Sequence, residues 1–255
     1  MSENRSGRRG RGKAHSPIEV VEADTLAADA AGAARPGDQV MYEAVLAAVM
    51  ESRLRPGMRL TEAACCEIFD LGRLAVRKAL LRLAHEKLVD LRPNRGAVVA
   101  SPTPAETREI YFARRMVETA LMPLAVAAAT PAVCAELRAI AHEEAAAVEQ
   151  GERSAALMLS GRFHMRVAEL AGNGVMTEIL AGLLSRTRLI VALYGPPEGS
   201  PGVPERHLAL VDAMEAGDVA GAVALMERHI ILVEQALRFD VPARETDLFD
   251  IFTRR

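Results

Sequence analysis

Apolar positions recur at helical spacing along most of the chain, and a few short stretches interrupt them. Val40, Val45, Leu46, Val49 and Met50 form a stripe that predicts a helix from 39, stopped by Arg55-Pro-Gly57. Met58-Arg-Leu60 has room only for a strand fragment. Thr61 can cap a second, short helix, TEAACCEIF, with Glu62 in its first turn. Asp70-Leu-Gly72 breaks it, and a third helix follows, RLAVRKALLRLAHEK, with Leu74, Val76, Leu80, Leu81 and Leu83 expected mostly inward. Two short β-prone runs then flank RPNRG, a hairpin signal with glycine at the turn. Three helices with a tight turn before the third, then a hairpin, predict a winged helix-turn-helix over 38–101.

Beyond it the period stays helical. Helices are expected over 104–129, 131–149, 152–171, 175–194, 204–216 and 218–238, with Pro123 kinking the first. Six helices of this length suit one antiparallel bundle over 104–240. The fold class is therefore mainly α, a winged helix-turn-helix followed by an antiparallel all-α six-helix bundle. Residues 1–37, with SGRRGRGK and a small polar stretch, read as a disordered basic arm, either passive or touching phosphates or a minor groove. Residues 241–255 form a polar tail that docks as a short helix or stays loose.

Composition adds limits. Half of the 255 residues are apolar and aromatics are 4%, which favours packed helices over a β-sandwich. No apolar run reaches a membrane span, no secretory signal is evident, and three cysteines (Cys65, Cys66, Cys134) make no disulfide framework. A cytoplasmic protein with no membrane partner is expected.

Charge changes the picture more. Residues 38–100 hold ten basic and eight acidic side chains, whereas 101–255 hold fifteen and twenty-one. Within 73–95, seven basic residues face two acids. Arg73, Arg77 and Lys78 share one face of the third helix. A helix fits the major groove, and arginine there can bond bidentately to guanine edges. Arg92 and Arg95 on the wing would meet phosphate or the minor groove.

The order of these motifs resembles a known family. LRPGMRLTEAACCEIFDLGRLAVRKALLRLAHEKLVDLRPNRGAVVAS, 54–101, is similar to the DNA-binding domain of GntR-type transcription regulators. IYFARRMVE, FH…AGN, ERHLALVDAMEAGD and ALMERHI are similar to the FCD effector domain of the FadR subfamily. The resemblance spans about residues 38–238. It implies a homodimer on operator DNA with a short inverted repeat, and a small-molecule effector, usually a carboxylate, that relieves repression. It places Arg73 and Arg77 on base-reading arginines and Gly96 on the wing-tip glycine. Ala63, Gly72 and Lys78 depart from the family pattern, so the operator is expected to differ.

The resemblance also places His164, His207 and His229 on three metal-ligand positions, with Ser160 where the family has aspartate. Three imidazoles and an open position suit zinc or nickel, bound more weakly without that carboxylate. The alternative is a vestigial site whose histidines bind an anionic effector directly. Arg114 is either an i,i+4 salt bridge to Glu118 or a fork for the effector carboxylate. Asn173 either ends a helix or reaches the effector. Two other functions compete with this one, a His-ligated metal enzyme and an adaptor without DNA binding. No HExxH, di-iron ExxH pair or nucleophile elbow supports the former, and Arg73 and Arg77 oppose the latter.

Overall fold

The computed structural model describes residues 36–93, 96–196, 199–200, 202–240 and 247–253. Of the expected arm over 1–37, residues 1–35 lie outside the described residues, as do Arg95 and most of the C-terminal tail, and Gly37 already belongs to the first helix.

The first group of elements is α1 (Gly37–Met50), β1 (Arg59–Leu60), α2 (Glu62–Phe69), α3 (Arg73–His85), β2 (Val89–Arg92) and β3 (Gly96–Val99). The strand fragment is real. β3 lies between β1 and β2, antiparallel to both, with Leu60 opposite Ala97 and Arg92 opposite Gly96. The Thr61 hydroxyl caps α2 by accepting from the Ala64 amide at 3.2 Å. α2 ends at Asp70, whose left-handed backbone (φ 51°) turns the chain toward α3.

Two expected inward positions are wrong in phase. α3 buries Val76, Ala79, Leu80 and Leu83, while Leu74 is 76% and Leu81 58% exposed. Leu74 and Leu81 are seven residues apart and lie on the outer face with Arg77 and Lys78. On α1 the buried face is Met41, Tyr42, Val45, Ala48, Val49 and Met50, and Val40 points outward.

The second group is α4 (Pro104–Ala127), α5 (Pro131–Glu149), α6 (Arg153–Leu170), α7 (Gly174–Tyr194), α8 (Val203–Glu215) and α9 (Val219–Gln235). α4 starts with a full capping box between Thr103 and Glu106, with Pro104 in its first turn, and runs on through Pro123. α4 packs against α6, α7 and α9, and α5 packs against α6 and α8. α10 (Leu248–Thr253) docks on α2, with Phe252 edge-on to Phe69 and the Ile251 carbonyl accepting from Arg53. The docked alternative for the tail therefore holds at its described end.

One hydrophobic cluster runs from Met41 and Leu80 in the first group to Phe163 and Ile230 in the second. Two serines tie the groups together. Ser52 Oγ donates to the Ala192 carbonyl at 2.6 Å and Ser185 Oγ to the Glu86 carbonyl at 3.0 Å. Among the described residues no helix is long and apolar enough to cross a membrane.

Candidate functional site

The interior of the bundle is polar at one place. α6 brings in His164, α8 His207 and α9 His229, all essentially unexposed. His164 Nε2 lies 3.2 Å from His229 Nε2 and 3.3 Å from His207 Nε2. Nitrogens about 2 Å from one tetrahedral zinc stand about 3.3 Å apart, so the trio's geometry fits a divalent ion. Among the described residues it is the cluster that could hold one.

Two buried carboxylates orient the rings from behind. His164 Nδ1 pairs with Glu118 Oε2 at 2.5 Å, and His207 Nδ1 with Glu144 Oε2 at 2.6 Å. Each pairing keeps the proton on Nδ1 and turns the Nε2 lone pair toward the centre, as histidine ligands to metals require. The ring of Phe163 stacks on His207 at 4.2 Å and fixes its plane. His229 differs. Its Nδ1 accepts from Arg206 Nε at 3.3 Å, which leaves its own proton on Nε2, facing His164. An ion at the three Nε2 atoms would need that proton moved and Arg206 turned away.

Burial favours the neutral forms of His164 and His229. Burial lowers His164 to about 4, with Arg114 and His207 adding to the effect and Glu118 opposing it. Burial, reinforced by the other two histidines, holds His229 well below the ordinary imidazole value. Burial raises Glu118, but Arg114 and His164 outweigh it and keep it ionised.

Arg114 makes the expected bridge to Glu118. Its Nε donates to Glu118 Oε1 at 2.5 Å, completing the i,i+4 bridge, and a terminal nitrogen reaches Thr187 Oγ1 at 3.4 Å. It also lines a cavity of about 290 Å³ together with Ser160, His164, Thr187, Arg188 and His229. Two polar atoms of this lining, Arg188 Nε and Ser200 Oγ, are buried without a partner. Asn173 is not brought to the cavity. Its side-chain oxygen accepts from the Met176 amide at 3.1 Å and caps α7, so its place among effector residues is corrected.

Sequence reading missed Glu144 altogether and took Glu118 only as a partner of Arg114. Both were legible as acids in phase with an apolar stripe. Glu118 follows Tyr111 and Arg114 and precedes Leu121 and Met122, and Glu144 stands between Leu137, Ile140, Ala141 and Ala147. Arg206 and Arg188 carried no such signal.

On the other group, α3 presents Arg73, Arg77 and Lys78 outward. Arg77 Nε donates to Glu62 Oε1 at 2.8 Å, which holds the side chain across the α2–α3 corner. Arg92 is exposed at the end of β2. Gly96, grouped with the DNA-facing residues, is instead buried. At φ +82° a Cβ would stand 2.2 Å from the Leu60 carbonyl oxygen, so the glycine lets the wing pack on β1.

The sequence profile of the FCD domain matches residues 109–232, and that of bacterial regulatory proteins of the gntR family matches 38–99. An HTH-type transcriptional regulator in an unstable DNA locus of Streptomyces ambofaciens is 32% identical over 191 residues, 71% of this chain and 77% of that protein. The chain belongs to the gntR family of bacterial regulatory proteins. The HTH-type transcriptional repressor RspR of Escherichia coli K12 is 24% identical over 80% of this chain and 90% of its own length. Among solved structures, Escherichia coli McbR/YncC superposes with TM-score 0.63 at 21% identity, covering 78% of this chain and 98% of that one. A GntR transcriptional regulator from Rhodococcus sp. RHA1 gives the same TM-score at 26% identity, with 78% and 95% covered. This GntR-family chain is therefore a ligand-responsive, DNA-binding transcription regulator, and its relatives are regulators rather than enzymes.

Proposed function

We propose that this GntR-family regulator binds operator DNA as a homodimer on a short inverted repeat and represses a catabolic operon. A small carboxylate in the bundle cavity releases it. The DNA-reading unit is 38–101, and the bundle over 104–240 binds effector and partner. What carries the effector reading is the bundle cavity, where Arg114, Ser160 and two histidines line the same space as a buried, unpartnered Arg188 Nε. An anion is the ligand that such donors satisfy.

His164, His207 and His229 would hold zinc or nickel, which would supply a Lewis-acidic point for the effector's carboxylate. A second reading keeps the trio metal-free and has it donate directly to the anion. Ser160 in place of a carboxylate and the Nε2 proton on His229 favour it. For the homodimer, support comes from the outer faces of α4 and α7, where Phe112, Met116, Leu124, Val175 and Ile179 are exposed.

In this reading the physical carrier of signal transfer is Arg153. It lines the effector cavity and donates to the carbonyls of Val191, Ala192 and Gly195 at the end of α7. The Ala192 carbonyl is the one that Ser52 of the DNA-reading unit grips. An anion that draws Arg153 away loosens that joint and shifts the population between DNA-competent and splayed arrangements.

The test is retardation of DNA selected from a random duplex pool, with wild type and Arg73→Ala/Arg77→Ala, at fixed salt and with a panel of small carboxylates. Specific retardation that the double variant abolishes, and that one carboxylate weakens, is the expected result. Undiminished specific retardation by the double variant refutes the DNA assignment. Indifference to every carboxylate refutes the effector class.

A further inference from the structure

The most exposed large apolar side chain among the described residues is Leu74, at 76%. It sits in the first turn of α3, one residue after Arg73, and three and four residues before Arg77 and Lys78. Residues three and four apart are neighbours on a helix surface. Leu74 is thus an exposed apolar spot beside two cations, Arg77 and Lys78, with Arg73 in the same turn. It belongs to neither hydrophobic cluster and is not among the partly buried residues packed against them. Gly72, which precedes the helix, would meet nothing with an added Cβ, so the approach to this turn is open.

We propose that Leu74 reads the 5-methyl group of a thymine in each operator half-site, beside the bases contacted by Arg73 and Arg77. This rests on the reading of α3 as the groove-entering helix. The three exposed cations at this end of α3 select a polyanion as the partner of this surface. Within the major groove, the thymine methyl is the apolar feature that a leucine can cover, and every other base edge offers donors and acceptors that a leucine cannot satisfy. The position on the helix fits as well, because a recognition helix contacts base edges through its N-terminal residues. Leu81 shares the outer face but lies about 10 Å further along the axis, at seven residues and 1.5 Å each, so it is not assigned the same role.

The experiment uses the full chain and a duplex selected by the wild type from a random pool. Each thymine of the half-sites is replaced singly by uracil, which removes the methyl and keeps the pairing. One thymine per half-site should weaken wild-type binding when replaced, by about three- to tenfold, the scale of burying one methyl group or slightly more. Leu74→Ala should bind the thymine duplex that much more weakly and should no longer distinguish uracil at that position. Leu74→Met should keep part of the discrimination. An exposed side chain can be changed without unfolding the helix, and unchanged melting temperatures confirm this. A wild type indifferent to uracil everywhere overturns the proposal, as does a Leu74→Ala variant that keeps the full uracil effect. Failure of the underlying reading is distinct: no sequence would be enriched, and Arg73→Ala/Arg77→Ala would bind as the wild type does.

Discussion

Removing Glu118 alone should rank among the most damaging single changes in the bundle, and removing Arg114 with it should restore much of the loss. The Glu118 carboxylate accepts from both Arg114 Nε and His164 Nδ1, and the Arg114 and Glu118 side chains are only 6% and 2% exposed. Glu118→Leu keeps the volume but strands a buried guanidinium, which costs about 3–5 kcal/mol. The imidazole N–H of His164 also loses its acceptor, for about 1–3 kcal/mol more. A chain of this size shifts its Tm by about 2–4 °C per kcal/mol, so a fall of roughly 10–20 °C is expected. In Arg114→Met/Glu118→Leu no stranded charge remains, and only the imidazole penalty persists. The double variant should therefore melt above the single one and within about 10 °C of the wild type. Glu62→Ala supplies the contrast. Its partner Arg77 is 60% exposed, and solvent screens such a pair, so this variant should melt close to the wild type. Thermal unfolding of metal-free protein followed by circular dichroism reads all four. A double variant that melts at or below Glu118→Leu would show that the buried ion pair is not what the single substitution breaks.

Three further outcomes follow from the same geometry. Glu144→Gln removes the charge-assisted bond behind His207 and should weaken zinc or nickel binding by roughly 10–100-fold in a chelator competition, whereas Arg206→Met frees His229 Nδ1 for a proton and should tighten it; equal affinities in all three proteins would sink the metal reading. Metal-free protein should lose stability as pH falls from about 6.5 toward 4. Burial lowers His164 to about 4 and His229 well below its ordinary value of 6.5, so the unfolded chain takes up these protons first, at up to about 1.4 kcal/mol per pH unit for each. A Tm independent of pH across that window contradicts it. Arg153→Leu should retain specific DNA binding but shrink the effector's influence on it, measured as the ratio of operator affinities with and without carboxylate; a full response in the variant removes Arg153 from the relay.

Much of the architecture was legible because the chain's helices announce their ends. Thr103-Pro104, Thr130-Pro131 and Asn173-Gly174 carry their own caps, and the expected and observed starts there agree within about a residue. The short pairing of Arg59 and Leu60 with β3 needed tertiary structure to establish, since two residues carry no period. The phase of α3 was readable and was misread. Counting each leucine as inward overrode the spacing of Val76, Ala79, Leu80 and Leu83, which already placed Leu74 and Leu81 on the opposite face. The histidine trio came through resemblance, not spacing. Its supports did not, because the His207–Glu144 pair joins positions 63 apart in sequence and the Arg206–His229 pair joins positions 23 apart.

Where the polar groups are buried argues more strongly for a ligand site than any one of them does. Among the described residues, every buried polar or charged side chain lies in the bundle: Thr107, Arg114, Glu118, Glu144, His164, Thr187, His207 and His229. The DNA-reading group, with a comparable apolar core, buries none. Such groups are expensive to bury and contribute little net stability even when fully paired. Five of the eight form one connected network from Thr187 through Arg114 and Glu118 to His164 and His229, and the His207–Glu144 pair stands beside it with its Nε2 3.3 Å from that of His164. A bundle selected only for stability would fill that space with leucine. Its retention beside a cavity lined by Arg114, Arg153, Arg188 and Glu144, where Arg153 and Ser52 share one carbonyl, is what a fold selected to sense a small molecule would keep.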